Sequence, residues 1–159
     1  WRKERDFPVL MKRLTVQAQD LLKSDNELVI VGLSAGSSMA LNIYTQLNNN
    51  NVRVINIVGR LRRGSVPPWS YRTMKHAAHI GAKHESQTFY DSVIYCEDKV
   101  LPSLTVKEKQ NIVMLKPLTD LIVPLHTMSV PEIKDLRIPA LGHVMACSVG
   151  LNRLVDLIK

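Results

Sequence analysis

Cysteine, aromatic residues and long apolar runs are all scarce in this sequence. Cys96 and Cys147 are the only cysteines among 159 residues, and their surroundings show no metal-ligand spacing. Aromatic residues make up only 5% of the chain, so the core should be mainly aliphatic, which suits helices packed on a sheet. No apolar run approaches the roughly 20 residues that span a bilayer. These scarcities argue against a disulfide framework and a membrane span, and they predict a cytoplasmic protein with free thiols.

Chain length and net charge limit the number of domains and the kinds of partner that are expected. With 159 residues and 45% hydrophobic content, the chain is expected to form a single domain over residues 1–159. The net charge of +7 raises the possibility of nucleic-acid binding. The densest basic groups, at residues 2–5 and 60–63, lack interleaved aromatic residues and a recognition helix. A solvated surface and no nucleic-acid partner are therefore expected, while the oligomeric state cannot be read from the sequence.

Strand-like and helical patterns alternate along the chain. From Phe7 a helix is predicted, with Asp6 as its cap and Leu10, Leu14, Ala18 and Leu21 at helical spacing. "ELVIVGL" and "VRVINIVG" read as strands buried on both faces, with the helix "AGSSMALNIYTQL" between them. "NIVMLKPLTD" and "DLRIPALGH" are the next strands, and "MACSVGLNRLVDLIK" is a closing helix. This order predicts an α/β fold with a mostly parallel sheet covered by helices on both faces.

The turn between the first strand and its helix carries the most informative motif. Gly32-Leu33-Ser34-Ala35-Gly36 matches G-x-S-x-G at a strand-to-helix junction, where such a turn holds a serine hydroxyl above the sheet edge. Both glycines are expected where strand and helix approach too closely for side chains. A serine needs a base and an orienting carboxylate before it can attack. His143 and Asp120 follow the later strands and supply both groups.

These residues resemble the α/β-hydrolase family, which has a G-x-S-x-G nucleophile elbow and the triad order Ser, Asp or Glu, His. Ser34, Asp120 and His143 follow that order, and "D-x-x-V-P" at Asp120 and Gly142-His143 are similar to the family's acid and histidine loops. The resemblance implies a serine hydrolase acting on an acyl bond through an acyl-enzyme, as a carboxylesterase, lipase or thioesterase does. It implies a small-molecule acyl substrate and needs no cofactor or metal.

The resemblance also assigns the remaining parts of the site. The Ala35 backbone N–H would donate to the oxyanion, while the loop that usually supplies the second donor is not found. The chain opens "WRKERDFPVL", without an initiator Met, so the N-terminal strands and that loop are expected to be missing from these residues. The insertion at about 62–109 stands where the family carries a cap. Its apolar underside would come from Trp69, Tyr71, Met74, Phe89 and Tyr90, although these residues could equally pack the cap onto the body.

Several other residues are alternatives to these assignments. Asp98 could replace Asp120 as the acid, but it lies inside the insertion and follows no clear strand. His126 is favoured as an ordinary loop histidine over a pocket residue, and Cys147 as a small buried thiol over a group that crowds the site. His76 and His79 have a spacing that two metal ligands could use, but no carboxylate or thiol stands at a matching interval. Nothing in the sequence assigns a site role to His84.

Two further functions compete with hydrolysis. The missing oxyanion loop favours a non-catalytic α/β-hydrolase-like protein that uses the pocket for binding. A phosphate-binding turn in "GLSAGSS" is the other possibility, because helix N-termini bind anions. The absence of a lysine and of G-x-G-x-x-G spacing argues against this second function.

Overall fold

The structure is a computed structural model, and it describes residues 6–64 and 87–158. The first helix, α1, spans Phe7–Asp25, and the Asp6 side chain accepts a hydrogen bond from the Val9 N–H at its start. The cap and the helix are therefore as the sequence predicts. Leu21 is an exception, because it is 55% exposed. Leu22 packs against the core in its place.

Four parallel strands form the described sheet, in the order β1-β2-β3-β4. They are β1 (Leu28–Leu33), β2 (Val52–Ile57), β3 (Ile112–Lys116) and β4 (Lys134–Arg137). Helix α2 (Gly36–Leu47) joins the first two strands. The last two strands end earlier than predicted, and a proline follows each end closely, Pro117 after β3 and Pro139 after β4. Proline has no N–H to donate to a strand partner, so it ends regular pairing.

The remaining helices follow β2 and β4. Helix α3 (Gln87–Tyr95) runs into a π-helical turn (Cys96–Val100) and the short helix α4 (Leu101–Ser103), and α5 (Val106–Gln110) leads into β3. After β4 come α6 (His143–Asn152) and α7 (Leu154–Ile158). The single closing helix expected from the sequence is thus divided at Arg153. Among the described residues, no helix has both the length and the apolar character needed to cross a bilayer.

Helices cover both faces of this sheet, as predicted. On one face, Leu41 and Tyr44 of α2 pack against Val52 and Val54 of β2. On the other face, Ala146 of α6 packs in a cluster with Ile55 and Ile57. Because successive side chains of a strand point to opposite faces, these two clusters lie on opposite sides of β2. The sheet is the rigid layer on which the loops at its carboxyl edge are mounted.

Strand β1 departs from the prediction of burial on both faces. Its Val31 and Leu33 are 39% and 36% exposed, and its other side chains, apart from Gly32, are only partly buried. Within the described residues β1 is an edge strand, paired with β2 on one side. The central strand β2 is buried at every position except Arg53. An apolar sequence therefore indicated strand character in β1 but not its position in the sheet.

The predicted cap at 62–109 is only partly described. Trp69, Tyr71 and Met74 lie outside the described residues, whereas Tyr90 is exposed on α3. The later part of the segment contacts the body, because Cys96, Val100 and Leu101 are buried in the core cluster that contains α2. Whether the segment acts as a cap stays a prediction.

Candidate active site

Ser34 occupies a strained turn between β1 and α2. Its φ is +51°, in the left-handed region that residues with a side chain rarely adopt. The Ser34 N–H donates to the Ile57 carbonyl at 2.9 Å, and its own carbonyl accepts from the Ser37 N–H at 3.2 Å. Strain of this kind persists only where the surroundings enforce it, and it is concentrated at functional sites. The turn thereby fixes the direction of the Ser34 hydroxyl.

Ser37 supports this turn from inside the protein. Its side chain is fully buried, and its hydroxyl donates to the Gly32 carbonyl at 3.0 Å. A β-carbon on Gly59 would lie 1.9 Å from Ser37 Cβ, so only glycine at position 59 leaves room for Ser37. The first turn of α2 is thus tied to the end of β1, and Gly59, two residues after β2, leaves the space that Ser37 occupies.

His143 reaches the serine from the first residue of α6. Its Nε2 lies 2.7 Å from Ser34 Oγ, although 109 residues separate the two in the sequence. Gly142, directly before it, has φ +82°, a conformation that suits glycine. The His143 side chain is only 10% exposed. The imidazole is therefore held against the serine by a sharp turn at the helix start.

Asp120 completes a chain of three side chains. Its Oδ2 lies 2.8 Å from His143 Nδ1, and its side chain is fully buried. Its other oxygen, Oδ1, accepts from the backbone N–H groups of Ile122 at 2.7 Å and Val123 at 2.9 Å. With the carboxylate accepting from Nδ1–H, Nε2 is free to accept the Ser34 proton. The sequence placed these three residues in order, but it did not reveal the two backbone donors.

The loops that carry Asp120 and His143 lie side by side. The Leu118 N–H donates to the Ala140 carbonyl at 3.1 Å, and the Gly142 N–H donates to the Thr119 carbonyl at 2.9 Å. Thr119 and Leu141 form an isolated parallel bridge. These contacts continue the pairing of β3 with β4 beyond the ends of both strands. They explain how Asp120, four positions after β3, and His143, six positions after β4, still meet.

Ala35 lies where an oxyanion donor is expected. It is the residue immediately before α2, with φ −59° and ψ −22°. The first N–H groups of a helix have no acceptor within it, and they point toward its N-terminal end. A negative charge developing beside Ser34 would therefore meet the positive end of the helix dipole. The structure is compatible with the role expected of the Ala35 N–H.

The alternative candidates are placed elsewhere. Asp98 lies on the π-helical turn, 42% exposed, and forms an ion pair with Arg63. His126 is exposed on a 3-10 turn (Leu125–Thr127), and its ring is the near neighbour of Gly64. His76, His79 and His84 lie outside the described residues. Asp120 is thus the carboxylate that the structure brings to His143.

Cys147 is near the site without being part of the hydrogen-bonded chain. It is half-buried, and burial, together with the negative charge of Asp120, raises the pKa of its thiol. The residue packs against the apolar cluster that contains Ala146, so the expectation of a small buried thiol is met only in part. In the parts of the chain that the structure describes, no group of three or more His, Cys, Asp or Glu side chains could hold a metal ion.

The fold is shared with solved hydrolases, although no family model and no curated protein matches the sequence. A monoacylglycerol lipase from Paleococcus ferrophilus is 9% identical, with 93% of this chain and 75% of that chain covered at a TM-score of 0.52. A lipase-esterase related protein from Clostridium acetobutylicum is 14% identical, with 96% of this chain and 76% of that chain covered at a TM-score of 0.57. An alpha/beta superfamily hydrolase from Oenococcus oeni is 12% identical, with 99% of this chain and 75% of that chain covered at a TM-score of 0.50.

These similarities bear on architecture. At such identities they show a shared fold, and the chain spans about three quarters of the length of each of these structures. The parallel sheet, the strand-to-helix turn and the order of the three loops fit the same architecture. The chain therefore has the α/β-hydrolase fold, as the resemblance of its motifs predicted.

Proposed function

We propose that this protein is a serine hydrolase that cleaves an ester, thioester or related acyl bond through an acyl-enzyme. The observation that carries the proposal is the continuous chain from Ser34 Oγ to His143 Nε2, 2.7 Å, and from His143 Nδ1 to Asp120 Oδ2, 2.8 Å. A nucleophile, a base within hydrogen-bond reach and a third group orienting that base are the requirements for acyl transfer by serine.

In the first half of the reaction, Ser34 Oγ forms a bond to the acyl carbonyl carbon as His143 Nε2 accepts the hydroxyl proton. The carbonyl electron pair moves onto oxygen, where the Ala35 N–H stabilises the negative charge. The tetrahedral intermediate then collapses, and the bond to the leaving alcohol or thiol breaks. That leaving group takes the proton from His143, which leaves Ser34 esterified.

In the second half, a water molecule takes the place of the leaving group. His143 accepts a proton from this water, whose oxygen attacks the acyl carbon of the Ser34 ester. Collapse of the second intermediate returns the proton to Ser34 Oγ and releases the carboxylic acid. Asp120 stays ionised throughout and stabilises the imidazolium that forms twice in each cycle.

Labelling by a fluorophosphonate probe tests this proposal. The probe forms a phosphonyl ester only with a serine whose hydroxyl is activated, so the intact protein should be labelled and Ser34→Ala should not. Ser148→Ala is the matched control, because Ser148 is an exposed serine on α6, five residues after His143. It should be labelled as the unaltered protein is. An unlabelled intact protein, or equal labelling of Ser34→Ala, would favour the non-catalytic binding alternative.

A further inference from the structure

Val58 has a backbone conformation that valine rarely adopts. Its φ is +53°, and among the residues that the structure describes it is the only β-branched one with a positive φ. Asparagine tolerates this region, and two of the other such residues are Asn26 and Asn48, which end helices α1 and α2. A branched side chain is an outlier there, so the surrounding structure must enforce the conformation of Val58.

Val58 lies beside Ser34, at the level where two neighbouring strands leave the sheet. Leu33 is paired with Ile57, so the next residues along β1 and β2 are Ser34 and Val58. The Ser34 N–H donates to the Ile57 carbonyl and the Val58 N–H donates to the Leu115 carbonyl, both at 2.9 Å. Both strands therefore keep their pairing up to this level and then turn away through a positive φ, +51° at Ser34 and +53° at Val58.

The turn at Val58 brings Gly59 against the support of the serine. Ser37 donates its N–H to the Ser34 carbonyl at 3.2 Å and its hydroxyl to the Gly32 carbonyl at 3.0 Å. A β-carbon on Gly59 would collide with the Ser37 side chain, so the two residues are in close contact. Because the φ of Val58 sets the direction in which the chain leaves β2, an extended residue 58 would carry Gly59 away from Ser37.

The Val58 side chain packs behind the other two residues of the site. It is fully buried, in the cluster on the α6 face that also contains Val123 and Ala146. The Val123 N–H donates to Asp120 Oδ1, and Ala146 lies three residues after His143 on α6. One residue thus contributes to the apolar cluster behind the acid and the base, and its turn contacts the support of the nucleophile.

We infer that Val58 is a positioning residue for hydrolysis, which holds the Ser34 turn through Gly59 and supports the loops of Asp120 and His143 through its side chain. The inference rests on the proposed function, because it concerns the alignment of that site. A core valine with no such role would supply packing alone, and packing does not require an unfavourable φ. Since Val58 is fully buried, it acts through its neighbours and not on the substrate.

Alanine and glycine at position 58 separate strain from packing. Glycine adopts a positive φ without penalty and alanine does not, so Val58→Gly should unfold at a higher urea concentration than Val58→Ala. The matched control is Val54, a fully buried valine within β2 whose φ is negative. There the order should reverse, because glycine weakens a strand interior. The same order at both positions would mean that Val58 is not strained, and it would overturn the inference.

Kinetics on a dissolved ester test the positioning role. Val58→Gly lets the turn relax, so its kcat should fall about tenfold or more below that of Val58→Ala, although the glycine variant is the more stable. KM should change by no more than about twofold in either variant, and kcat of Val54→Ala should stay within about twofold of the unaltered protein. A kcat that follows stability, with Val58→Gly as active as Val58→Ala, would reduce Val58 to a packing residue and overturn the inference.

Hydrogen exchange at the Ser34 amide separates positioning from catalysis. This N–H donates to the carbonyl of the peptide that joins Ile57 to Val58. Its exchange, followed by NMR, should be about tenfold faster in Val58→Gly than in Val58→Ala, the opposite of what their global stabilities would give. Faster exchange without any hydrolysis by the intact protein would refute the proposed function while supporting the hold of Val58 on Ser34. Hydrolysis by the intact protein with equal or slower exchange in Val58→Gly would overturn the inference alone.

Discussion

Asn56 lies directly beside Gly32 on the neighbouring strand, and the space between them is closed to any further atom. A β-carbon on Gly32 would lie 2.3 Å from Asn56 Oδ1 and 2.6 Å from Ser37 Cα. The second contact is with backbone, so a rotamer change cannot relieve it. Gly36 differs, because a β-carbon there would meet no described atom within 4 Å. The expectation that both glycines prevent a collision is thus correct for Gly32 and wrong, within the described residues, for Gly36.

Alanine substitutions should separate the two glycines. Gly32→Ala should lower the free energy of unfolding by about 1–3 kcal/mol, because overpacking forces the strand and helix apart. Gly36→Ala should leave it unchanged or raise it by up to about 1 kcal/mol, since alanine favours helix over glycine. Urea denaturation followed by circular dichroism measures both. Equal losses in the two variants would contradict this account of the turn.

A second prediction concerns the ion pair between the buried Lys116 and the more exposed Asp135. The Lys116 side chain is 4% exposed, whereas that of Asp135 is 38% exposed, and Lys116 Nζ also donates to Ser129 Oγ at 2.8 Å. Asp135→Ala leaves a buried ammonium without its counterion, which should cost about 3–5 kcal/mol of stability. Lys116→Met leaves a carboxylate that water still reaches, so this variant should lose clearly less stability than Asp135→Ala. Urea midpoints showing the reverse order would contradict this.

Local patterns were sufficient to predict the elements that depend on nearby residues. The Asp6 cap, the start of α1 and the passage from β1 through Ser34 into α2 are set by residues within one or two turns of each other. The order Ser34, Asp120, His143 was also visible, because parallel strands place the loops after them at one edge of the sheet.

Features set by distant residues were not visible. The exposure of β1 depends on which strands neighbour it, and the hydropathy of "ELVIVGL" carries no information on that point. The pairing of Asp98 with Arg63 joins segments 35 residues apart. The "D-L-I-V" spelling at Asp120 is compatible with a carboxylate that accepts from the following N–H groups. Only the structure shows that one oxygen does so while the other faces His143.

The thiols supply a third prediction. Burial raises the pKa of Cys96 to about 12, and burial also raises that of Cys147. Because the thiolate is the reactive form, Cys96 in the native protein should react with Ellman's reagent at pH 8 at least about 100-fold more slowly than a free thiol. In denaturant, both cysteines should react rapidly. In Cys147→Ser, prompt reaction of the native protein would show that Cys96 is accessible, contrary to the structure.

The dependence of the rate on pH follows from the proposed base. An imidazole accepts the serine proton only when it is neutral. The value of kcat/KM should therefore rise with pH as the base loses its proton and then level off. Initial rates on a dissolved ester, measured in buffers of constant ionic strength, provide the profile. A rate that is flat from acid to neutral pH would exclude His143 as the base.

Replacing Asp120 by asparagine tests how the imidazole is oriented. Ile122 and Val123 donate to Oδ1, so the amide oxygen of Asp120→Asn should remain there and its NH₂ group should take the place of Oδ2, facing His143 Nδ1. Two donors cannot pair, so Nδ1 must become the acceptor and Nε2 must carry the proton, the tautomer that cannot activate Ser34. We expect kcat to fall about 10⁴-fold with little change in stability. Stopped-flow rates combined with urea denaturation check both parts, and a loss of less than tenfold would mean that Asp120 does not set the tautomer.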